Sequence, residues 1–175
     1  PKPQTPNPNP VVNVCSLNSV IFKIGMSKLS IGEAWKSIVK PERTVYEMTS
    51  LDLHESALLS KTLVREDFEV LSQRGHKLQC SVYRTVDQTL SRDLLVYLHT
   101  RGGSRVEGKY LVNILGNQFN VLLFDFAGSG MSEGDHITLG IKETDDAEEV
   151  IRAVKKRVNV KRVILWGRSM GAVTS

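Results

Sequence analysis

Three unbroken apolar runs constrain this chain more than any other feature: Leu94-Leu95-Val96-Tyr97-Leu98, Val121-Leu122-Leu123-Phe124 and Val163-Ile164-Leu165-Trp166. Runs of four or five apolar residues without alternation suit strands buried on both faces, as when helices cover both sides of a parallel sheet. The stretches between them read as helices. Residues 106–115 end at Gly116, in the position of a C-cap glycine. In residues 144–158, Ala147, Val150, Ile151, Val154 and Val158 fall on one helical face. Asp145, Asp146, Glu148 and Glu149 crowd its start and Lys155, Lys156 and Arg157 its end, an order that complements the helix dipole. Those charges therefore read as a solvated face. Ahead of the runs, Phe68 and Val70, then Leu78, Cys80 and Val82, alternate with polar residues, the period of half-buried strands. Arg74-Gly75 between them can supply a hairpin turn. The pattern predicts an α/β fold: an antiparallel hairpin followed by β-α-β-α-β with right-handed crossovers.

The first part of the chain is different. Five of the six prolines lie in residues 1–10, interleaved with Lys, Gln, Thr and Asn. Such a stretch has little apolar surface to bury and favours extended conformations. Residues 1–29 are read as an extended Pro-rich tail, which a protein partner would hold if it is ordered. Residues 30–62 form a short helical lead-in. Ser30 and Glu33 make a capping box, Ile31, Ala34, Trp35 and Ile38 share one helical face, and Pro41 ends the helix. Residues 50–61 are open between a second short helix and irregular structure.

Composition excludes several functions. The 23 Lys and Arg against 19 Asp and Glu give a net charge of only +4. The basic residues are spread along the chain, so nucleic acid is not an expected partner. No run of about 18 apolar residues exists, so no transmembrane segment is expected. Two cysteines, Cys15 and Cys80, build neither a disulfide scaffold nor a metal-type C-x-x-C pair. Without a signal-peptide pattern, a reducing cytoplasmic setting is expected. Gly128-Ser129-Gly130 follows a strand but lacks the third glycine and the helix of a dinucleotide site. No cofactor or metal is expected.

The chemistry is carried by Gly167-Arg168-Ser169-Met170-Gly171, which follows the third apolar run directly. G-x-S-x-G between a strand and a helix is the context of a nucleophile elbow. A sharp turn would lift the Ser169 hydroxyl above the sheet, and Gly167 and Gly171 remove side chains that would collide there. The first apolar run ends at His99, followed by Thr100-Arg101-Gly102-Gly103-Ser104-Arg105, a loop placed to give a backbone N–H to an oxyanion. His99 reads as a structural histidine, because it precedes the serine whereas the triad order is Ser, acid, His. Asp125 opens the glycine-rich loop 125–134 and reads as a structural, Asx-type turn former.

These landmarks resemble the α/β-hydrolase superfamily, in its serine-aminopeptidase-like and depalmitoylase-like branch. The resemblance spans residues 40–175 and rests on Tyr97-Leu98-His99 with its Gly-Ser-Arg loop, on Asp125-Phe126-Ala127-Gly128-Ser129-Gly130-Met131-Ser132-Glu133-Gly134, and on Trp166-Gly167-Arg168-Ser169-Met170-Gly171-Ala172. Lys40-Pro41-Glu42-Arg43 with Tyr46, and Arg65-Glu66-Asp67-Phe68 with Arg74-Gly75, look like uncharacterised protist members. The resemblance implies that residues 63–175 are the N-terminal half of a hydrolase domain, with Ser169 as nucleophile and the N–H groups of Met170 and Arg101 as oxyanion donors. It also implies an acid and a histidine later in the chain than Ser169, which His54, His76, His99 and His136 are not. Pro1 and Ser175 both read as cut ends. The 175-residue piece is therefore expected to be a poor hydrolase, to leave the strand at 163–166 without a neighbour on its far side, and to aggregate or fold only in part.

Two functions follow. The first is a serine hydrolase in the full-length parent, transferring an acyl group to water from an ester, thioester or amide, in a small acyl substrate or an acylated protein or peptide. The second is a non-catalytic hydrolase-like module with a structural or interaction role in a larger assembly, cytoskeletal or ciliary. Thr100, standing where the family has glycine, and the Pro-rich tail motivate the second.

Overall fold

The computed structural model describes residues 11–16, 30–53, 63–86 and 92–175. The runs of alternating and continuous apolar residues form the expected strands. β2 (Leu63–Leu71) and β3 (Lys77–Thr85) pair antiparallel as a hairpin. Gly75, at φ +79°, sits in their turn, which Gly75 N–H closes by donating to the Ser72 carbonyl at 2.9 Å. The three continuous runs become β4 (Arg92–Leu98), β5 (Asn120–Phe124) and β6 (Val160–Arg168). β4 pairs parallel with both β5 and β6, while β5 pairs antiparallel with β3.

The first two runs are buried on both faces, as their composition demands, whereas in the third Val163 and Leu165 are buried and Ile164 and Trp166 are half-buried. On β4, Leu94, Val96 and Leu98 face a core shared with Leu122, Val163 and Leu165, covered by α3 (Ile141–Lys155) through Ala147, Val150 and Val154. Leu95 and Tyr97 face the opposite core with Tyr83, Val121 and Leu123, covered by Leu111 and Val112 of α2 (Lys109–Leu115). Val150 and Val154 are wholly buried, and each contributes about 1.5–3 kcal/mol by leaving water.

The order β6-β4-β5 puts β4 between two strands that follow it in sequence. The crossover from β4 to β5 covers one face through α2, and the crossover from β5 returns past β4 to β6 over the other face through α3, so the chain reverses direction across the sheet beside β4. Open α/β sheets place ligands at such a switch point.

Several expectations change. β1 (Val11–Ser16), inside the segment read as a tail, pairs parallel with β6 from Val11 beside Val163 to Ser16 beside Arg168. The far side of β6 therefore has a neighbour, and the six-stranded order is β1-β6-β4-β5-β3-β2. α1 (Ile31–Val39) carries the capping box: Glu33 N–H donates to Ser30 Oγ, and Ser30 N–H to Glu33 Oε2. Its apolar face is not buried, however, and Ile31 is 91% exposed. Gly116 is not left-handed, with φ −58°. It is excluded from being larger by crowding, since a Cβ would lie 2.5 Å from the Val112 carbonyl oxygen and 2.7 Å from Leu63 Cδ1. α3 starts three residues before the apolar periodicity does, because buried Glu143 accepts the N–H groups of Thr138 and Gly140 and so caps it. Of residues 50–61, left open above, Ser50 and Leu51 complete a 3-10 turn that begins at Met48. Residues 1–10, 17–29, 54–62 and 87–91 lie outside the described part.

Candidate active site

The strand-to-helix turn takes a single residue. β6 ends at Arg168 and α4 (Met170–Thr174) begins at Met170. Ser169 between them has φ +52° and ψ −116°, a conformation that costs a residue with a Cβ about 1–3 kcal/mol. Ser169 is exposed, while Met170 and Gly171 are buried. The flanking glycines act through space rather than flexibility. A Cβ on Gly167 would overlap the Gly171 carbonyl, and one on Gly171 would overlap the Leu98 carbonyl. The bend is thus packed directly onto the end of β4, next to His99. Ala172 N–H and Val173 N–H donate to the Ser169 carbonyl at 2.9 and 3.2 Å. The Met170 N–H precedes these and belongs to the first turn, whose N–H groups have no partner within the helix.

The loop after β4 is a tight turn closed by Gly103 N–H donating to the Thr100 carbonyl at 3.0 Å. Gly102, the third residue of the turn, has φ +72°. Such a turn wants glycine there, and it puts Arg101 at its corner. The Arg101 side chain is directed away, its guanidinium donating to the Ser37 carbonyl at the end of α1.

His99 is fully buried and committed on both nitrogens. The Phe126 N–H donates to Nε2 at 3.1 Å, which leaves the ring hydrogen on Nδ1, 2.7 Å from the Thr100 carbonyl. Burial holds its pKa below the ordinary histidine value, and the hydrogen bond to the Thr100 carbonyl and the charges of Asp125, Glu107 and Glu143 only partly oppose this. Neutral and fully bonded, His99 is a strut between two loops and not a base. Among the described residues, no histidine or carboxylate hydrogen-bonds the Ser169 hydroxyl.

Asp125 is also structural, but not as a local turn former. Its carboxylate accepts the N–H of Met131, six residues on, at 3.0 Å. It further accepts the Arg105 N–H at 2.7 Å and the Tyr46 hydroxyl at 2.6 Å. The Arg105 guanidinium, 1% exposed, donates to Tyr46 Oη at 2.6 Å and Ser81 Oγ at 3.1 Å. Burial, then the Asp125 charge, drives the Tyr46 hydroxyl's pKa upward, so it stays a donor. Arg43 grips the same loop from outside through the carbonyls of Gly130, Ser132 and Gly134.

The structure therefore gathers Ser169, Met170 and the 99–103 loop at one edge, with Gly167 and Gly171 beneath. Sequence reasoning missed Tyr46, Arg105, Arg43 and Glu107 as parts of this edge. They come from distant segments, and no local spacing links them. Among the described residues, no group of three or more His, Cys, Asp or Glu could hold a metal ion, and no helix is long and apolar enough to cross a membrane.

The chain has the α/β-hydrolase fold, the mixed sheet and covering helices matching solved esterases of that class. The Pyrococcus furiosus esterase Pf2001 is 28% identical, with a TM-score of 0.62 over 77% of this chain and 51% of that one. Brefeldin A esterase, described as a bacterial homologue of human hormone sensitive lipase, agrees in fold alone, at 19% identity and a TM-score of 0.51 over 69% of this chain. Among proteins compared by sequence, the lysophosphatidylserine lipase ABHD12 of Danio rerio is 36% identical over 86 residues, which are 46% of this chain and 22% of that protein. No protein-family model matches the chain. The chain spans about half the length of the Pyrococcus esterase.

Proposed function

We propose that the whole protein is a serine hydrolase that transfers the acyl group of an ester to water, with Ser169 as nucleophile. The observation that carries this reading is Ser169 held exposed at φ +52° on a one-residue strand-to-helix turn. Backbone strain at an exposed nucleophilic side chain is retained where the surrounding packing enforces it. Here Gly167 and Gly171 let that packing close.

In the proposed reaction Ser169 Oγ bonds to the acyl carbon while its proton passes to a general base. The carbonyl oxygen becomes an oxyanion, and the N–H groups of Met170 and Arg101 receive it. The C–O bond to the alcohol then breaks, the alcohol takes the proton, and water repeats the sequence on the acyl-enzyme. None of the described residues is placed as the base, and the activity is proposed for the whole protein. An ester is favoured over a thioester or amide because the solved neighbours include esterases and one sequence relative is a lipase.

The test is covalent labelling of the intact protein with a fluorophosphonate probe. Wild type should label and Ser169→Ala should not. Equal labelling of the two would end the proposal. The non-catalytic reading was motivated by Thr100 and the Pro-rich tail; the Thr100 side chain is turned toward Glu107, and residues 1–10 of the tail lie outside the described residues.

A further inference from the structure

Thr100 stands at the corner where the oxyanion loop needs the least bulk, yet it is built in. Its hydroxyl donates to Glu107 Oε1 at 2.8 Å, and its N–H donates to Glu107 Oε2 at 3.3 Å. The Tyr97 hydroxyl supports the same Oε2 at 3.2 Å. One carboxylate thus grips both the backbone and the side chain of Thr100. The contact is close enough that a Cβ on Gly103 would overlap Glu107 Oε1 and lie 2.8 Å from Thr100 Oγ1. On the other side of the same residue, the Thr100 carbonyl is held by His99 Nδ1 and Gly103 N–H. The described residues contain no cis peptide bond, so the Arg101 N–H points opposite to the Thr100 carbonyl. Fixing that carbonyl fixes the direction of the N–H.

We propose that Glu107 and Thr100 are a positioning pair for the oxyanion loop. The Glu107 carboxylate holds Thr100 by its N–H and hydroxyl, so that the Thr100–Arg101 peptide presents its N–H to the oxyanion. The inference rests on the hydrolase reading of Ser169. Neither residue touches the reacting atoms. Their hydrogen bonds set an angle, and an oxyanion donor acts only when it is aimed at where charge develops. Glu107 sits in the 3-10 turn Arg105–Gly108, whose first N–H is anchored on Asp125. The pair therefore ties the aim of the loop to the buried charge cluster behind it.

The experiment is steady-state hydrolysis of a p-nitrophenyl ester by the intact protein, run beside fluorophosphonate labelling. Glu107→Gln keeps the shape but cannot accept both Thr100 hydrogens. It should lower kcat and the labelling rate by about tenfold to a hundredfold, short of losing a whole oxyanion donor, with KM within about twofold. Thr100→Val removes the hydroxyl at constant shape and should lose about tenfold, whereas Thr100→Ser should recover most of that. Recovery by the serine variant, and a loss in kcat without KM, are not expected of residues that only stabilise the fold. If Glu107→Gln does not fold, the Thr100 pair decides alone. Wild-type rates in Thr100→Val, or equal losses in Thr100→Val and Thr100→Ser, would overturn the positioning role while leaving Ser169 as nucleophile. Labelling of Ser169→Ala at the wild-type rate would overturn the hydrolase reading itself, and this inference with it.

Discussion

The elbow at Ser169 and the loop that Asp125 opens end neighbouring parts of the same sheet edge, and both are rich in glycine, but they are built by opposite means. In the Asp125 loop every part of the buried carboxylate is answered: Arg105 N–H, Tyr46 hydroxyl and Met131 N–H donate to it, and the Arg105 guanidinium lies 3.7 Å away. Positive φ falls there on Gly128 and Gly130, where it costs little. At the elbow, positive φ falls on the serine itself, and the side chain is left exposed. One region answers its buried charge and carries its positive φ on glycine, although the buried Ser129 hydroxyl in it has no hydrogen-bond partner. The other is strained and presents a free hydroxyl. The contrast teaches that side-chain hydrogen bonds hold the loop beside the reactive position, whereas the reactive position is held by close packing of Gly167 and Gly171 and by the helix bonds to the Ser169 carbonyl.

The strongest way to break that comparison is to remove the charge at the satisfied loop. Asp125→Ala leaves Arg105 buried with its main partner gone. Breaking one side of a buried pair costs about 3–5 kcal/mol, so urea unfolding of the intact protein should show a loss of that order. A loss under about 1 kcal/mol would mean that the cluster is not a stability element. At the elbow the corresponding change is steric. Gly171→Ala drives a methyl group into the Leu98 carbonyl, and overpacking of this kind costs about 1–3 kcal/mol. Because the backbone at Ser169 must shift to relieve the overlap, fluorophosphonate labelling should fall further than stability does. Unchanged labelling in Gly171→Ala would separate the glycine from the shape of the turn.

The two regions were also unequally legible in the sequence. The strands were readable because continuous apolar runs have few other homes, and the elbow because strand, glycines and serine are adjacent in the chain. The buried cluster was not. Tyr46, Ser81, Arg105 and Asp125 lie in four separate segments, and a lone arginine reads as a surface residue until its partners are known. Helix α1 misled for the complementary reason. Apolar spacing over Ile31, Ala34, Trp35 and Ile38 reports a helix, but spacing cannot say that the face will be covered. β1 was hidden because six residues after a proline-rich stretch gain a strand identity only from the edge they pair with.

His99 joins the two regions, so its titration reads the link between them. Burial lowers its pKa below the ordinary 6.5. Above about pH 7 both folded and unfolded chains hold it neutral, and it contributes no pH dependence. As pH falls below about 6.5, the unfolded chain takes a proton that the folded site refuses. Stability is then lost by up to about 1.4 kcal/mol per pH unit, until the folded pKa is reached. Urea unfolding at pH 7.5, 6.5 and 5.5 should show this decline, and His99→Asn should remove that share of the slope. An identical slope in the variant would mean that His99 is not the proton-linked strut.

The smallest effect belongs to the strain itself. Ser169→Gly removes the Cβ that makes φ +52° costly, a relief of about 1–3 kcal/mol. A glycine also widens the unfolded ensemble and gives back about 0.4–1 kcal/mol. The net expectation is a gain of between about 0 and 2.6 kcal/mol, with labelling abolished. Ser169→Ala keeps the Cβ and so keeps the strain. It should lose labelling equally while its stability stays within about 0.5 kcal/mol of wild type. The two variants share one chemical defect and differ only in whether the backbone is relaxed. A higher melting temperature for glycine than for alanine would therefore measure the strain stored at the elbow. Equal melting temperatures would show that the turn is comfortable for any residue, and the difference drawn between the two loops would reduce to their hydrogen bonds.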